Sequence, residues 1–466
     1  MYTDKKDKSF YQERRLTVFR ELVRSLWQGG STENIKMIED ELIKRGLFEE
    51  KERNIIEDYI RLTSGLGLED KDEPIEQAVG HALHKERIEY PLVTVIKDVC
   101  DLCELEYTND DKPCKTSCNH GALTYNKEQG VVIEKGKCLT CGSCISACPF
   151  EALSDKIEFV PIIDMLKQQE VPVYAAIAPA YIGQFGDNVS PGQIRSALKI
   201  LGFKDMIEVA LFADLLTLRE VYEFEHLVQT KDDYLITSCC CPIWMNMVLK
   251  GYPELLKSFS PAVSPMIAAG RVLKEVYKDC KVVFIGPCVA KKNEAKDKDL
   301  RDAIDYVLNF RELDEIFKAL DIELASLPEE QYEQSSQGGR IYARTGGVSK
   351  AVELSLNRLG HEGIELNAVQ ADGVIACKEI LDKLKAGIVD ANFIEGMGCK
   401  GGCVGGPRAN IEVSKATEIV NQYGERSEYK TPVDNDKIQV ILEKIGIKYP
   451  EDIISGKSMK LFGRDL

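Results

Sequence analysis

Three adjacent cysteines, Cys239, Cys240 and Cys241, sit in the stretch TSCCCPIW at 237–244. Neighbouring cysteines are too constrained to close an unstrained disulfide on one another. As packing they add an oxidation risk that small apolar residues do not carry. Metal binding by at least one thiolate, with a different task for a neighbour, is the chemistry left to them. Two more segments carry related residues: GPCVAKKNE at 286–294, with Cys288 and Lys291, and EGMGCKGGCVGGP at 395–407, with Met397, Cys399 and Cys403. Glycines let backbone N–H groups approach cluster sulfides closely. Four thiolates from three distant segments can close one 4Fe-4S cube, and Lys291 sets a cation beside it.

A second constellation lies upstream. KCLTCGSCISACPFEAL spaces Cys138, Cys141, Cys144 and Cys148 as C-x2-C-x2-C-x3-C-P. This resembles the bacterial ferredoxin run, in which three thiolates hold one cube and the fourth reaches a second. Cys100, Cys103, Cys114 and Cys118 form a stretched copy, and the two copies end alike, CNHGAL against CPFEAL. The pairing implied is Cys138, Cys141 and Cys144 with Cys118, and Cys100, Cys103 and Cys114 with Cys148. Structural zinc is the alternative for C-x2-C pairs; eight ligands in this interleaved order weigh against it. His120 reads as an exposed side chain or a neighbour of the site rather than as a ligand.

Together the three segments resemble the signature motifs of the FeFe-hydrogenases, and the eight-cysteine module stands where that family carries accessory clusters. The resemblance covers about residue 91 to the end. It implies an H-cluster, a 4Fe-4S cube joined through a cysteine to a diiron site bearing CO, cyanide and azadithiolate. Cys241, Cys288, Cys399 and Cys403 would hold the cube, with Cys403 also bridging to the diiron site. Lys291 would hydrogen-bond a cyanide, and Met397 would pack against the diiron unit.

The resemblance also implies a proton path. Cys240 would exchange protons with the site, followed by Glu220 and Glu223 of LREVYEFEHL and by Ser260 after the YPELL segment. The arginine that ends this path in relatives falls on Leu227, which leaves the exit to solvent open. Other departures are the third cysteine of the first motif, Gly286 where a methionine usually precedes P-C, and a shortened glycine run. They resemble the subfamily often called group B. In some relatives with the triple run, the relay cysteine moves onto the open iron and shields it from oxygen. Cys240 is expected to do so here, helped by Cys239 and by room left at Gly286.

The activity implied is reversible 2 H+ + 2 e− = H2, with a ferredoxin-type electron carrier as partner and maturation proteins to build the diiron site. A hydrogen sensor and a non-catalytic iron–sulfur protein of the same fold are the alternatives.

These residues need a scaffold that brings distant segments together. The apolar runs VYAAIAP (173–179), YLITSCC (234–240), VVFIGPC (282–288) and IYARTGG (341–347) read as buried strands, with helices at QIRSALKILG and ELDEIFKAL. Ligands gather beyond the carboxyl ends of strands in open α/β sheets, where Cys239 to Cys241 and Cys288 fall. The fold expected is a two-lobed α/β catalytic domain over 156–466, an α+β two-cluster ferredoxin-like domain over 91–155, and a helical region over 1–90. In that last region Phe19, Leu22, Val23 and Leu26 recur at helical spacing up to Gly29-Gly30. Further helices are expected up to Gly46 and Ser64-Gly65.

Composition sets outer limits. Sixteen cysteines with a charged opening, MYTDKKDKSFYQERR, predict a cytoplasmic protein whose thiols serve metal or redox chemistry. Cys280 and Cys377, which stand alone, read as buried thiols. A formal charge of −16 argues against a nucleic-acid partner, and no apolar run is long enough to predict a membrane span.

Overall fold

The computed structural model describes residues 8–30, 32–69, 71–85, 92–126, 130–237, 240–330 and 333–466. The chain forms two compact units, Met1–Glu170 with Arg311–Glu323, and Val171–Phe310 with Leu324–Leu466.

The first unit opens with helices α1 (Lys8–Trp27), α2 (Ile35–Lys44) and α3 (Arg53–Thr63), followed by α4 (Ile75–Leu83). The first three end where the glycines and Ser64 predict. The fourth begins directly after Pro74, a residue that suits a helix start. Their apolar stripes are buried, with Phe19, Leu22, Val23, Leu42, Ile56 and Ile60 at 0–1% exposure. The helices pack on the eight-cysteine segment: Arg15 pairs with Glu151 at 3.0 Å, and Trp27 stacks on Phe159. That segment is built from two small antiparallel pairs. Strand β1 (Val93–Val95), β2 (Leu123–Asn126), β3 (Gly130–Ile133) and β4 (Leu153–Asp155) pair as β1 with β4 and β2 with β3. The cysteines lie in the turns and short helices that these pairs hold.

The second unit contains strands β5 (Val173–Ile177), β6 (Asp205–Glu208), β7 (Leu235–Ile236), β8 (Lys281–Gly286), β9 (Tyr306–Asn309), β10 (Ala368–Asp372) and β11 (Phe393–Met397). One parallel sheet has the order β6-β5-β8-β9 and a second, also parallel, β10-β11-β7. Every residue of β5, β9 and β11 is buried, as expected of strands covered on both faces. The helix Val209–Leu227 is buried along most of its length, so its polar residues face protein rather than water.

Two expectations need correction. IYARTGG is not a strand: a helix spans Gln337–Ile341 and turns follow. Ser336 caps it by accepting from Gly339 N. Gly339 lies where a Cβ would stand 2.2 Å from Ala210 O, so the helix backbone rests directly on its neighbour. Ile341, Tyr342 and Ala343 are buried, and a short apolar run looks the same in a buried helix and a buried strand. Among the described residues of YLITSCC, strand is confined to Leu235–Ile236. The expected helices are present as Pro191–Ile200 and Phe310–Ala319. Among the described residues no helix is long and apolar enough to cross a membrane.

Candidate metal centre and proton path

The three cysteine segments leave the carboxyl ends of strands from both sheets. Cys240 and Cys241 follow β7, Cys288 follows β8, and Cys399 and Cys403 follow β11. Thr237 N continues the β7 ladder by donating to Ile394 O at 3.0 Å. Ser238 and Cys239 lie outside the described residues, and with them the expected part of Cys239. Cys241 precedes the helix Pro242–Gly251, whose proline suits a first turn. Trp244 explains the end of TSCCCPIW: its indole N–H donates to Thr237 O at 2.8 Å and so closes the cysteine loop. Its ring fills the space where a Cβ on Gly396 would stand at 2.2 Å.

The third segment turns on Gly401 and Gly402, at φ 78° and 89°. Asp372 fastens it by accepting from Gly401 N at 2.9 Å and from the Thr345 hydroxyl at 3.1 Å. Gly398 N donates to Cys241 Sγ at 3.2 Å, joining the first and third segments. Cys288 and Cys403 are each pushed up to about 12, first by burial and then by neighbouring thiols, Cys241 acting on both. Lys291 pulls both down, by less. Thiols so grouped, Cys241 buried and Cys288 and Cys403 half-buried, hold their protons until a cation replaces them, as thiols that take up cluster iron do.

Cys240, Cys288, Lys291 and Cys403 line one cavity of about 50 Å³ with Met266 and Phe284. Apart from these groups its walls are apolar, Ala178, Val209 and Pro265 among them. Two larger open clefts, beside Arg195 and Arg340 and beside Asn367 and Asn392, contain no cysteine. The room expected at Gly286 is taken up: a Cβ there would meet the Phe284 ring at 2.7 Å and Ala178 at 3.1 Å. Met397 is buried at the end of β11 with its sulfur against Gly402, and it is not among the cavity's described lining residues. Cys377 and Cys280 are buried thiols, as the sequence suggests.

Lys291 is held from below. Its Nζ pairs with Glu294 at 2.7 Å, and Glu294 accepts from Ser264 at 3.0 Å and faces Arg464 at 3.4 Å. Burial, the largest single effect, would lower the lysine, but Glu294 together with the Cys288 and Cys403 thiols outweighs it and the pKa is raised. Sequence reasoning missed Glu294, Ser264 and Arg464. The i,i+3 spacing in KKNE was the available clue for the first.

Of the residues expected on the proton path, Glu220 and Glu223 share the buried helix Val209–Leu227. Glu220 accepts from the Thr237 hydroxyl, and Thr237 stands three positions before Cys240. One turn along the helix, Glu223 accepts from Ser260 Oγ at 2.5 Å and from Arg219 Nε at 2.7 Å. Burial raises the Glu223 carboxyl above its ordinary range, against the pull of Arg219 and Ser260. Leu227 is 40% exposed, while the arginine beside Glu223 is Arg219, one turn in the opposite direction. Sequence reasoning missed Arg219 and Thr237.

Cys114 is pushed up to about 12 by burial and then by Cys148, Cys100 and Cys103. Cys144 is raised by burial and then by Cys141, Cys138 and Cys118. Cys114 and Cys144 thus feel first the members of their own expected sets, and Cys114 also acts on Cys144. Ala122 N donates to Cys118 Sγ at 3.3 Å and Thr140 N to Cys138 Sγ at 3.4 Å. His120 is exposed.

Residues 171–407 match the iron only hydrogenase large subunit, C-terminal domain. The chain belongs to the iron-only hydrogenase family. Residues 131–154 also match the 4Fe-4S binding domain. Iron hydrogenase 1 of Clostridium pasteurianum is 30% identical over 373 residues, 60% of this chain and 65% of that protein. The NADP-reducing hydrogenase subunit HndD of Solidesulfovibrio fructosivorans is 28% identical, over 58% of this chain and 55% of its own length. The chain therefore spans somewhat over half of these two relatives. A cytosolic Fe-S cluster assembly factor of Yarrowia lipolytica is 22% identical over 41% of the chain. An FeFe-hydrogenase HydA1 structure from Chlamydomonas reinhardtii superposes with a TM-score of 0.53, at 23% identity over 64% of this chain and 97% of its own. This last likeness carries the iron-only hydrogenase fold and no more.

Proposed function

We propose that this iron-only hydrogenase family member catalyses reversible 2 H+ + 2 e− = H2. The observation that carries this reading is the convergence of Cys240, Cys288, Lys291 and Cys403 on one apolar-walled cavity. Cys241, Cys288, Cys399 and Cys403 would hold the cube of an H-cluster, and Cys403 would also link it to the diiron unit. The H-cluster, once bound, supplies the redox chemistry of hydrogen. The protein's task is to position it, bring protons and exclude water. Lys291, steadied by Glu294, offers its ammonium to an anionic ligand at the cavity wall. Cys240 exchanges protons at the same wall, and Glu220, Ser260 and Glu223 carry them onward to Arg219.

Electrons would pass between a ferredoxin-type carrier and the site through two 4Fe-4S clusters, one on Cys100, Cys103, Cys114 and Cys148 and one on Cys118, Cys138, Cys141 and Cys144. Dedicated maturation proteins would build the diiron unit. Cys240, with Cys239, would shield that unit from oxygen.

Infrared spectroscopy on protein expressed anaerobically with the maturation machinery tests the reading. Bands of iron-bound CO and cyanide that shift under H2, with turnover, are the expected result. Bands without turnover would favour a sensor. Clusters without any such bands would move the chain toward a cluster-carrying protein, the character that the Yarrowia assembly factor's name describes.

A further inference from the structure

Lys112 lies in the insertion that separates Cys103 from Cys114, and it is 1% exposed. Its amine is enclosed, and among the described residues it meets no hydrogen-bond acceptor. The Tyr125 ring stands 4.9 Å from Nζ. Two carboxylates of the same insertion have other partners: Glu104 accepts from the Tyr125 hydroxyl, and Asp110 pairs with Lys115 at 2.8 Å. A lone ammonium in a protein interior is costly unless something compensates it. A ring face offers only part of that compensation. Lys112 directly precedes the short helix Pro113–Thr116 that carries Cys114, and its charge reaches the Cys100 and Cys103 thiols. They are buried, as are Cys114 and Cys148.

We propose that the Lys112 ammonium is the fixed counter-charge of the iron–sulfur site on Cys100, Cys103, Cys114 and Cys148, and that it sets this site's reduction potential above that of its neighbour. The inference rests on the reading that the segment carries two 4Fe-4S clusters. Reduction adds one electron, from a ferredoxin-class donor or dithionite, and takes a cube with its four thiolates from two to three negative charges. No bond is made or broken and no proton moves. A buried cation stabilises the more negative form more strongly, so the potential rises. The neighbouring site has a different setting: Cys118, Cys138, Cys141 and Cys144 are half-buried, and Lys137 beside Cys138 is exposed and pairs with Glu134 at 2.7 Å. Electrons entering the module therefore settle first on the Cys100 site.

The test is an EPR-monitored redox titration of the full chain with both clusters loaded, comparing wild type, Lys112→Met and Lys112→Arg. In Lys112→Met the higher-potential cluster should become at least tenfold harder to reduce, a shift of 59 mV for one electron. The other cluster should stay in place, and Lys112→Arg should keep the wild-type values. Two loaded clusters that titrate in Lys112→Met as in wild type would overturn the proposal alone. A wild-type chain that cannot be loaded with two clusters, by iron content and EPR, would overturn the reading beneath it. Should Lys112→Met lose iron from one site, retention of iron and potential in Lys112→Arg is the result expected of a required counter-charge. Loss in both variants would make Lys112 a packing residue and overturn the proposal.

Discussion

Ser260 Oγ donates a 2.5 Å hydrogen bond to Glu223 Oε2, and Arg219 occupies the other oxygen of the same carboxylate. A carboxyl so placed has a donor on one side and a cation on the other, with no water needed between them. Burial raises its pKa despite both partners, so it keeps a proton at higher pH than an exposed glutamate does. Those properties suit the proton-carrying role proposed for it.

Glu223→Gln keeps the shape and removes the titration. Hydrogen evolution should fall by about 100-fold, in line with the loss of a positioned acid–base group. The infrared bands should keep their wild-type positions. Ser260→Ala should lower the rate less, because Arg219 still orients the carboxylate. Unchanged rates in Glu223→Gln would remove this carboxylate from the path.

The motifs were the legible part of this site, because cluster ligands must come as cysteines at spacings set by the loop they close. The side chains that support them were not. Glu294 stands inside a motif but reveals its part only when the helix turns it toward Lys291. Ser264 and Arg464 reach the same carboxylate from elements far apart in the chain. Arg219 was hidden by direction: one turn back along a helix is as near as one turn forward, and the forward position, Leu227, drew the eye. The strands at β5 and β8 were readable as continuous apolar runs. The run at 341–347 misled because Gly338 and Gly339, just before it, permit a close helix contact that periodicity does not record.

Glu294 should also matter to stability. Burial pushes its carboxyl up, yet Lys291 and Arg464 more than offset this and hold the pKa below the ordinary range. Glu294→Gln leaves two buried cations with their shared anion gone, a change that costs about 3–5 kcal/mol. A urea midpoint at neutral pH reads it. The stabilisation from a depressed carboxyl is present above its unfolded pKa and lost as pH falls through the folded one. The gap between wild type and variant should therefore narrow in strong acid.

Asp214 has the opposite sign. It is fully buried, accepts from Ser336 N at 2.7 Å, and burial pushes its pKa from 3.8 up to about 6. Between those values the unfolded chain releases a proton that the folded chain retains. Stability from this group is therefore whole below the unfolded pKa and falls as pH rises through the folded one, by about 3 kcal/mol in all. Asp214→Asn can keep an acceptor for Ser336 N and removes the titration. Relative to wild type, the variant should gain stability between pH 4 and pH 7 in urea titrations. Parallel profiles would mean that the carboxyl titrates alike in both states.

Cys240 is the thiol at the cavity wall that none of the expected cube positions uses. A thiolate can occupy an open iron position that would otherwise take dioxygen. Phe284 fills the room beside Gly286, so any shielding would draw on movement of Cys240 rather than on free space at that glycine. Because Cys240→Ala also removes the proposed proton carrier, turnover is the wrong readout. The decay of the CO and cyanide infrared bands in air is the right one. The variant should lose them faster than wild type, and Cys239→Ala should fall between the two if Cys239 aids the loop's movement. Equal decay in wild type and Cys240→Ala would end the case for protection by this thiol.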